Sequence, residues 1–139
     1  MIVASSLPGQ DARRLISAEE WPQSVVISNP ELPDNPLVFV SEAFTEQTGF
    51  PADETLGRNC RFLQGPGTDP QAIYTIRIGL QRRIGFEVDL LNYRRDGSPF
   101  WNRLRIRPQY DLKHRLVFFI GCQNPIDESD VRPLPVLQA

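Results

Sequence analysis

Phe86-Glu-Val-Asp-Leu-Leu-Asn-Tyr-Arg94, Arg95-Asp-Gly-Ser98 and Pro99-Phe-Trp-Asn-Arg-Leu-Arg-Ile-Arg107 together decide the fold. Both flanks alternate with period two, as half-buried strands do. On the first, Phe86, Val88, Leu90 and Asn92 share a face. On the second, Asn102, Leu104 and Ile106 do, with Trp101, Arg103, Arg105 and Arg107 behind them. The two apolar faces coincide only if residues paired across the hairpin have an even sum. A two-residue Asp96-Gly97 turn gives an odd sum and mixes the faces. A three-residue Arg95-Asp96-Gly97 loop, with Gly97 in the left-handed position, gives an even one. That register sets Arg103 opposite Asp89 and Arg105 opposite Glu87, which are favourable cross-strand pairs.

Working outward, residues 115–124 read as a further strand, with Val117, Phe119, Gly121 and Gln123 on one face. Upstream, Ser24–Ser28 and Leu37–Val40 are two shorter strands separated by Asn29-Pro30 and the turn-rich Leu32-Pro-Asp-Asn-Pro36. Ser41 caps a helix that stops at Gly49, and Pro51 to Leu56 adds a helical turn closed by Gly57. Asp69-Pro70 opens a helix that places Ile73, Ile76 and Leu80 on one face and ends before Gly85. Two strands, short helices, then three strands is an α+β order. Ahead of the strands, Ala12, Leu15, Ile16 and Glu19 recur at helix spacing, and Pro22 ends that pattern. The acidic and proline-bearing stretch from Asp127 is a tail. The expected division is an N-terminal helical cap over 1–23, a sensor-sized core over 24–126 and a tail over 127–139.

The totals narrow the class. The chain has 139 residues, 15 Lys+Arg against 17 Asp+Glu, one His and two Cys. One domain is the prior at that length. Two cysteines make no disulfide scaffold and one histidine leaves no ordinary metal set. No apolar run approaches the roughly 18 residues of a membrane span, and the N-terminus lacks a basic leader region. A net charge of −2 argues against broad attraction to nucleic acid. These totals point to the cytoplasm, where thiols stay reduced.

One chemical oddity remains. Asn92, Asn102 and Gln123 project from a sheet face otherwise made of Phe, Val, Leu and Ile. Each buried amide left unpaired costs about 1–3 kcal/mol. Either the three satisfy one another, or a flat ligand with mixed carbonyl and NH edges sits against them.

Gly57-Arg-Asn-Cys-Arg-Phe-Leu-Gln64, followed by Gly65-Pro-Gly-Thr-Asp69, bears on that choice. With these blocks the chain resembles the LOV domains, the blue-light-sensing, flavin-binding branch of the PAS superfamily. The likeness continues through Asn29-Pro30, Leu32-Pro-Asp-Asn-Pro36, Ile76-Arg77, Leu91-Asn-Tyr-Arg94, Phe100-Trp-Asn102 and Phe119-Ile-Gly-Cys-Gln123. It implies a PAS-like five-stranded antiparallel sheet with short helices on one face, and FMN as the cofactor. Cys60 matches the cysteine that adds to flavin C4a after blue-light excitation and is released in the dark. Arg61 and Arg77, from two different helices, match a phosphate clamp, a task suited to guanidinium forks. Asn59 and Gln64 match contacts to the ring or ribityl chain. Asn92 and Asn102 match the pair on the pyrimidine edge, and Gln123 matches the glutamine facing N5 and O4, whose amide can answer a change in hydrogen-bond polarity. Val26, Ser28, Asn35, Leu104, Ile106, Phe119 and Gly121 match pocket-lining positions.

Cys122 departs from the pattern, standing where the family has a small or branched apolar residue. Strand parity turns it away from the flavin, with Leu116, Phe118, Ile120, Leu91, Tyr93 and Trp101. That outer face is too apolar to stay wet. The N-terminal helix or a partner subunit would cover it, which implies a homodimer through the cap and outer sheet face, signalling to a further protein. The resemblance is to the short bacterial type without a fused effector. Neither an enzyme nor a nucleic-acid or membrane binder is expected. The chain has no nicotinamide fingerprint and no nucleophile–base set, and its one histidine, His114, sits alone near a strand start. The rival reading is a light-independent flavin redox or small-ligand PAS sensor.

Overall fold

A computed structural model describes residues 7–137. The ends of the expected cap and tail, residues 1–6 and 138–139, lie outside the described residues. The elements run α1 (Gly9–Leu15), β1 (Ser24–Ser28), β2 (Leu37–Val40), α2 (Glu42–Thr48), α3 (Ala52–Thr55), a 3-10 turn (Cys60–Leu63), α4 (Pro70–Arg82), β3 (Phe86–Tyr93), β4 (Pro99–Tyr110) and β5 (Leu116–Ile126). The five strands form one sheet in the order β2-β1-β5-β4-β3, antiparallel throughout. It is the α+β arrangement that the strand order called for.

The hairpin register is the even-sum one. Asp89 faces Arg103 and Glu87 faces Arg105, and both pairs close as ion pairs at 2.9 Å. Gly97 takes φ 88°, a left-handed conformation that glycine adopts without a Cβ penalty. Val88, Leu90 and Leu104 then turn inward against Ala72 of α4, while Phe44 and Leu63 pack on Val26 and Leu37. The helices that follow β2 therefore lie on one face of the sheet and leave a cleft between them and it.

On the opposite face, the part formed by β2, β1 and β5 is covered from within the chain. Ala12 and Ile16 pack on Val25, Ile27, Ile120 and Cys122, with Leu15 and Trp21 beside them. Arg107, on the sheet, bonds Glu20 at 2.7 Å and the Leu15 carbonyl at 2.7 Å, pinning the cap. The expected run of helix to Trp21 is cut short. Ile16 turns extended, and Ser17 and Glu20 bond each other's backbone N–H in a reciprocal capping box. The C-terminal stretch is docked as well. The Arg132 N–H donates to Asp89 and its side chain to Glu87, while Leu134 and Leu137 pack on the α4–β3 cluster. It wraps the β3 edge with two prolines, which shields an unpaired strand edge.

β4 and β5 are longer than their sequences suggested, running through Pro108 and Pro125. Each proline sits where its strand has lost one neighbour. The β3 pairing ends at Ile106 and the β1 pairing at Gln123, so a missing N–H is tolerated there. Ser41 also departs from its expected role. Its hydroxyl does not cap α2 but accepts from the Val25 N–H at 2.9 Å, joining helix start to sheet.

Candidate functional site

The cleft lies between the inner sheet face and the segment from Cys60 to α4. With its open mouth it contains about 680 Å³ of space between atoms. Its floor is laid by alternate residues of four strands: Val26 and Ser28, Leu90 and Asn92, Leu104 and Ile106, and Phe119, Gly121 and Gln123. Gly121 keeps that floor flat, since a Cβ there would come 3.2 Å from the Val26 methyl and also meet Leu104. Asn35, Asn59, Cys60, Arg61 and Gln64 complete the wall opposite.

Cys60 is placed by its neighbours in sequence. Asn59 caps the 3-10 turn, its Oδ1 accepting from the Arg61 N–H at 3.0 Å. The other end of the same amide donates to the Asp34 carbonyl at 2.7 Å, tying the turn to the loop before β2. The Cys60 sulfur faces Gln123, whose Nε2 lies 3.8 Å away. Burial pushes its thiol up to about 11 against the weak pull of that Gln123 contact, so it is protonated at neutral pH.

The three carboxamides form a chain. Asn102 Nδ2 donates to Asn92 Oδ1 at 2.9 Å and to Gln123 Oε1 at 2.6 Å. Asn102 Oδ1 accepts from the Asn124 N–H at 3.0 Å. Asn124 Nδ2 in turn donates to Gln23 Oε1, and Gln23 Nε2 to the Glu19 carbonyl. A polar wire thus runs from the cleft to the cap. Two polar groups on residues that line the cleft are left poorly matched: Gln123 Nε2, with only a sulfur, and Asn35 Oδ1, buried without a partner.

The structure brings together Val26, Ser28, Asn35, Asn59, Cys60, Arg61, Gln64, Asn92, Leu104, Ile106, Phe119, Gly121 and Gln123 around one cleft. Asn102 stands just behind the lining, fully buried. Arg77 is exposed on α4 and does not line the cleft, although its neighbour Ile76 does. Leu37, Leu63, Ile76, Leu80 and Leu90 also line it and were not among the expected site residues. Leu90 and Leu80 could have been found, the first from its strand parity with Asn92 and the second from the α4 periodicity. Cys122 sits on the other face, 2% exposed among the cap contacts, its thiol also pushed up to about 11 by burial.

Residues 22–127 match a PAS-domain family model. A solved light-oxygen-voltage domain studied with a flavin analogue is 48% identical, with a TM-score of 0.77 over 80% of this chain and 82% of that one. This chain belongs to the LOV branch of the PAS family. The dark structure of the blue-light photoreceptor Aureochrome1 LOV is similar to this LOV domain at 39% identity and a TM-score of 0.78, covering 93% of this chain and 91% of that one. A blue-light-activated histidine kinase of Brucella anthropi is 47% identical over 115 residues, 82% of this chain and 23% of the kinase. The LOV domain thus spans about a quarter of the length of that curated relative.

Proposed function

We propose that this LOV domain is a blue-light photoreceptor that binds FMN in the cleft and signals through Gln123 to the cap, a dimer contact or a partner protein. The observation that carries the reading is the Cys60 sulfur facing the Gln123 amide, across a flat apolar floor edged by Asn92 and backed by Asn102. The unpartnered Asn35 Oδ1 and the under-used Gln123 Nε2 suit a ligand that offers both a hydroxyl donor and a ring acceptor. Bound FMN, held by the residues of the cleft, would supply the blue-light absorption, a C4a carbon able to accept the Cys60 sulfur reversibly and an N5 able to take up the thiol proton.

The chain's own residues shape the response to light. Cys60 is held as a neutral thiol, so its reactivity waits on light rather than on a standing thiolate. Gln123 presents Nε2 to the cleft and Oε1 to Asn102. If N5 becomes a donor, the matching response is rotation of the Gln123 amide. Rotation would set Nε2 against Asn102 Nδ2, two donors facing each other, and break that bond. Asn102 also holds the Asn124 backbone, so the disturbance would pass down β5 towards Gln23 and the cap. Arg61 and Arg77 are assigned to the phosphate, with Arg77 swinging in from α4.

We assign the sensor to the cytoplasm, where its two thiols stay reduced; among the described residues no helix is long and apolar enough to cross a membrane. We assign the domain a sensory role and no reaction on a substrate. The spectrum before and after blue light tests the flavin and the Cys60 chemistry. Reversible loss of the visible flavin bands in the wild type, and none in Cys60→Ala with flavin still bound, is the expected result. Bands that persist under light would favour the rival light-independent sensor.

A further inference from the structure

Arg61 does not stand free at the mouth of the cleft. Its Nη1 donates to Asp34 Oδ1 at 2.9 Å and its Nη2 to Asp34 Oδ2, a two-pronged pairing that uses the outer end of the fork. Asp34 is delivered there by an unusual backbone. It and Asn35 both lie in the left-handed region, at φ 67° and 48°, a conformation that costs residues with a Cβ and persists where the surroundings impose it. Here the Asn59 amide holds the Asp34 carbonyl and the Asn35 N–H bonds the Leu32 carbonyl at 3.1 Å. The same Asn59 caps the turn that carries Cys60 and Arg61. One residue therefore fixes both partners of the pair.

We infer that Asp34 is a specificity-setting residue of this cleft: an internal anion that competes with a ligand's phosphate for Arg61 and so limits how strongly phosphate-bearing flavin is preferred over flavin without phosphate. The inference rests on the flavin reading above. Three observations carry it. The carboxylate engages both terminal nitrogens of Arg61, the geometry a phosphate would use. Both side chains are 58% exposed, so the pair is wet and can be exchanged rather than locked. A phosphate seated at Arg61 would also lie close to the Asp34 charge, which it must share or displace.

The test measures dissociation constants for FMN and riboflavin in wild type and Asp34→Asn, an isosteric change that keeps the backbone bonds. FMN is expected to bind about threefold to fivefold more tightly in the variant, the upper part of the range open to an exposed charge pair. Riboflavin should stay within twofold. The gain should shrink at high salt, since the contact is screened, and should be smaller in an Arg61→Gln background. An FMN affinity that is unchanged or weaker in Asp34→Asn overturns the inference, as does an equal change for both flavins, which would mark a structural role. A titration with inorganic phosphate, followed by the Arg61 side-chain NMR signal, decides the same point without flavin. Tighter phosphate binding in Asp34→Asn supports the inference and an equal response overturns it, even if neither flavin binds the wild type and the flavin reading fails.

Discussion

Gln123 is 1% exposed, and its amide spans the boundary between the cleft and the sheet. Its oxygen is well placed, on Asn102 Nδ2 at 2.6 Å; its nitrogen meets only the soft Cys60 sulfur. A side chain so divided is built to choose between two arrangements. Replacing it by leucine keeps the bulk and removes both ends. Asn102 then loses one of its two acceptors, which should lower stability by about 1–2 kcal/mol in urea unfolding. Bleaching by blue light should persist in Gln123→Leu, because the Cys60 thiol and its turn are untouched. The light–dark difference in hydrodynamic radius should fall away, and a difference equal to the wild type's would rule out Gln123 as the switch. At this scale the sequence was informative where parity applied. The inward placement of Asn92, Asn102 and Gln123 follows from period two alone. The Asp34–Arg61 pair does not, because it depends on two left-handed residues in a loop that periodicity cannot describe.

The cap is the element whose details the sequence hid. Its apolar spacing was legible, yet α1 ends at Leu15 because Ser17 and Glu20 form their own turn. Arg107 shares the outward face with Arg103 and Arg105, but it answers Glu20, a pairing separated by 87 positions. Such partners are set by tertiary packing and leave no local trace. The Arg107 hydrogen bond and charge hold Glu20 well below the usual carboxylate range, at about 2 against an ordinary 4.5, despite the opposing effect of burial. A depressed carboxylate contributes stability that is fully present above its unfolded value and lost as pH falls through the folded one. The contribution of this pair should therefore fade between about pH 4.5 and 2. Its size is on the order of 1–2 kcal/mol once partial exposure is allowed for. Glu20→Gln should flatten that part of the stability–pH curve relative to wild type, and parallel curves would show that the pair carries nothing. The cap also shields Cys122, buried against Ala12 and Ile16 with its thiol pushed up to about 11. In a Cys60→Ser background, Arg107→Ala should raise the rate of Cys122 alkylation several-fold. An unchanged rate would mean that the cap holds without its arginine.

Taken whole, the described residues form a layered body: cap, sheet, cleft and helices, with the C-terminal stretch drawn round the β3 edge. The strand hairpin and its register could be derived in advance, since two apolar faces and two charge pairs demanded the same alignment. The covering layers could not, because nothing local tells the tail to run back along Asp89 and Glu87. These layers are unequally connected to the cleft. The cap is reached by a continuous path, Gln123 to Asn102 to Asn124 to Gln23. The tail is anchored through Arg132, Leu134 and Leu137 to β3 and α4, and no hydrogen bond joins it to Gln123 among the described residues. Hydrogen exchange in dark and light separates the two routes. In the dark, amides of β1, β4 and β5 at the sheet centre should exchange slowest, as the most fully paired backbone. After blue light, protection should drop over residues 9–23 and 123–126, while residues 131–137 and β3 stay as they were. Light-induced loss confined to the tail and α4 would place the output on the opposite edge of the sheet and make the Asn124–Gln23 bond a static tie.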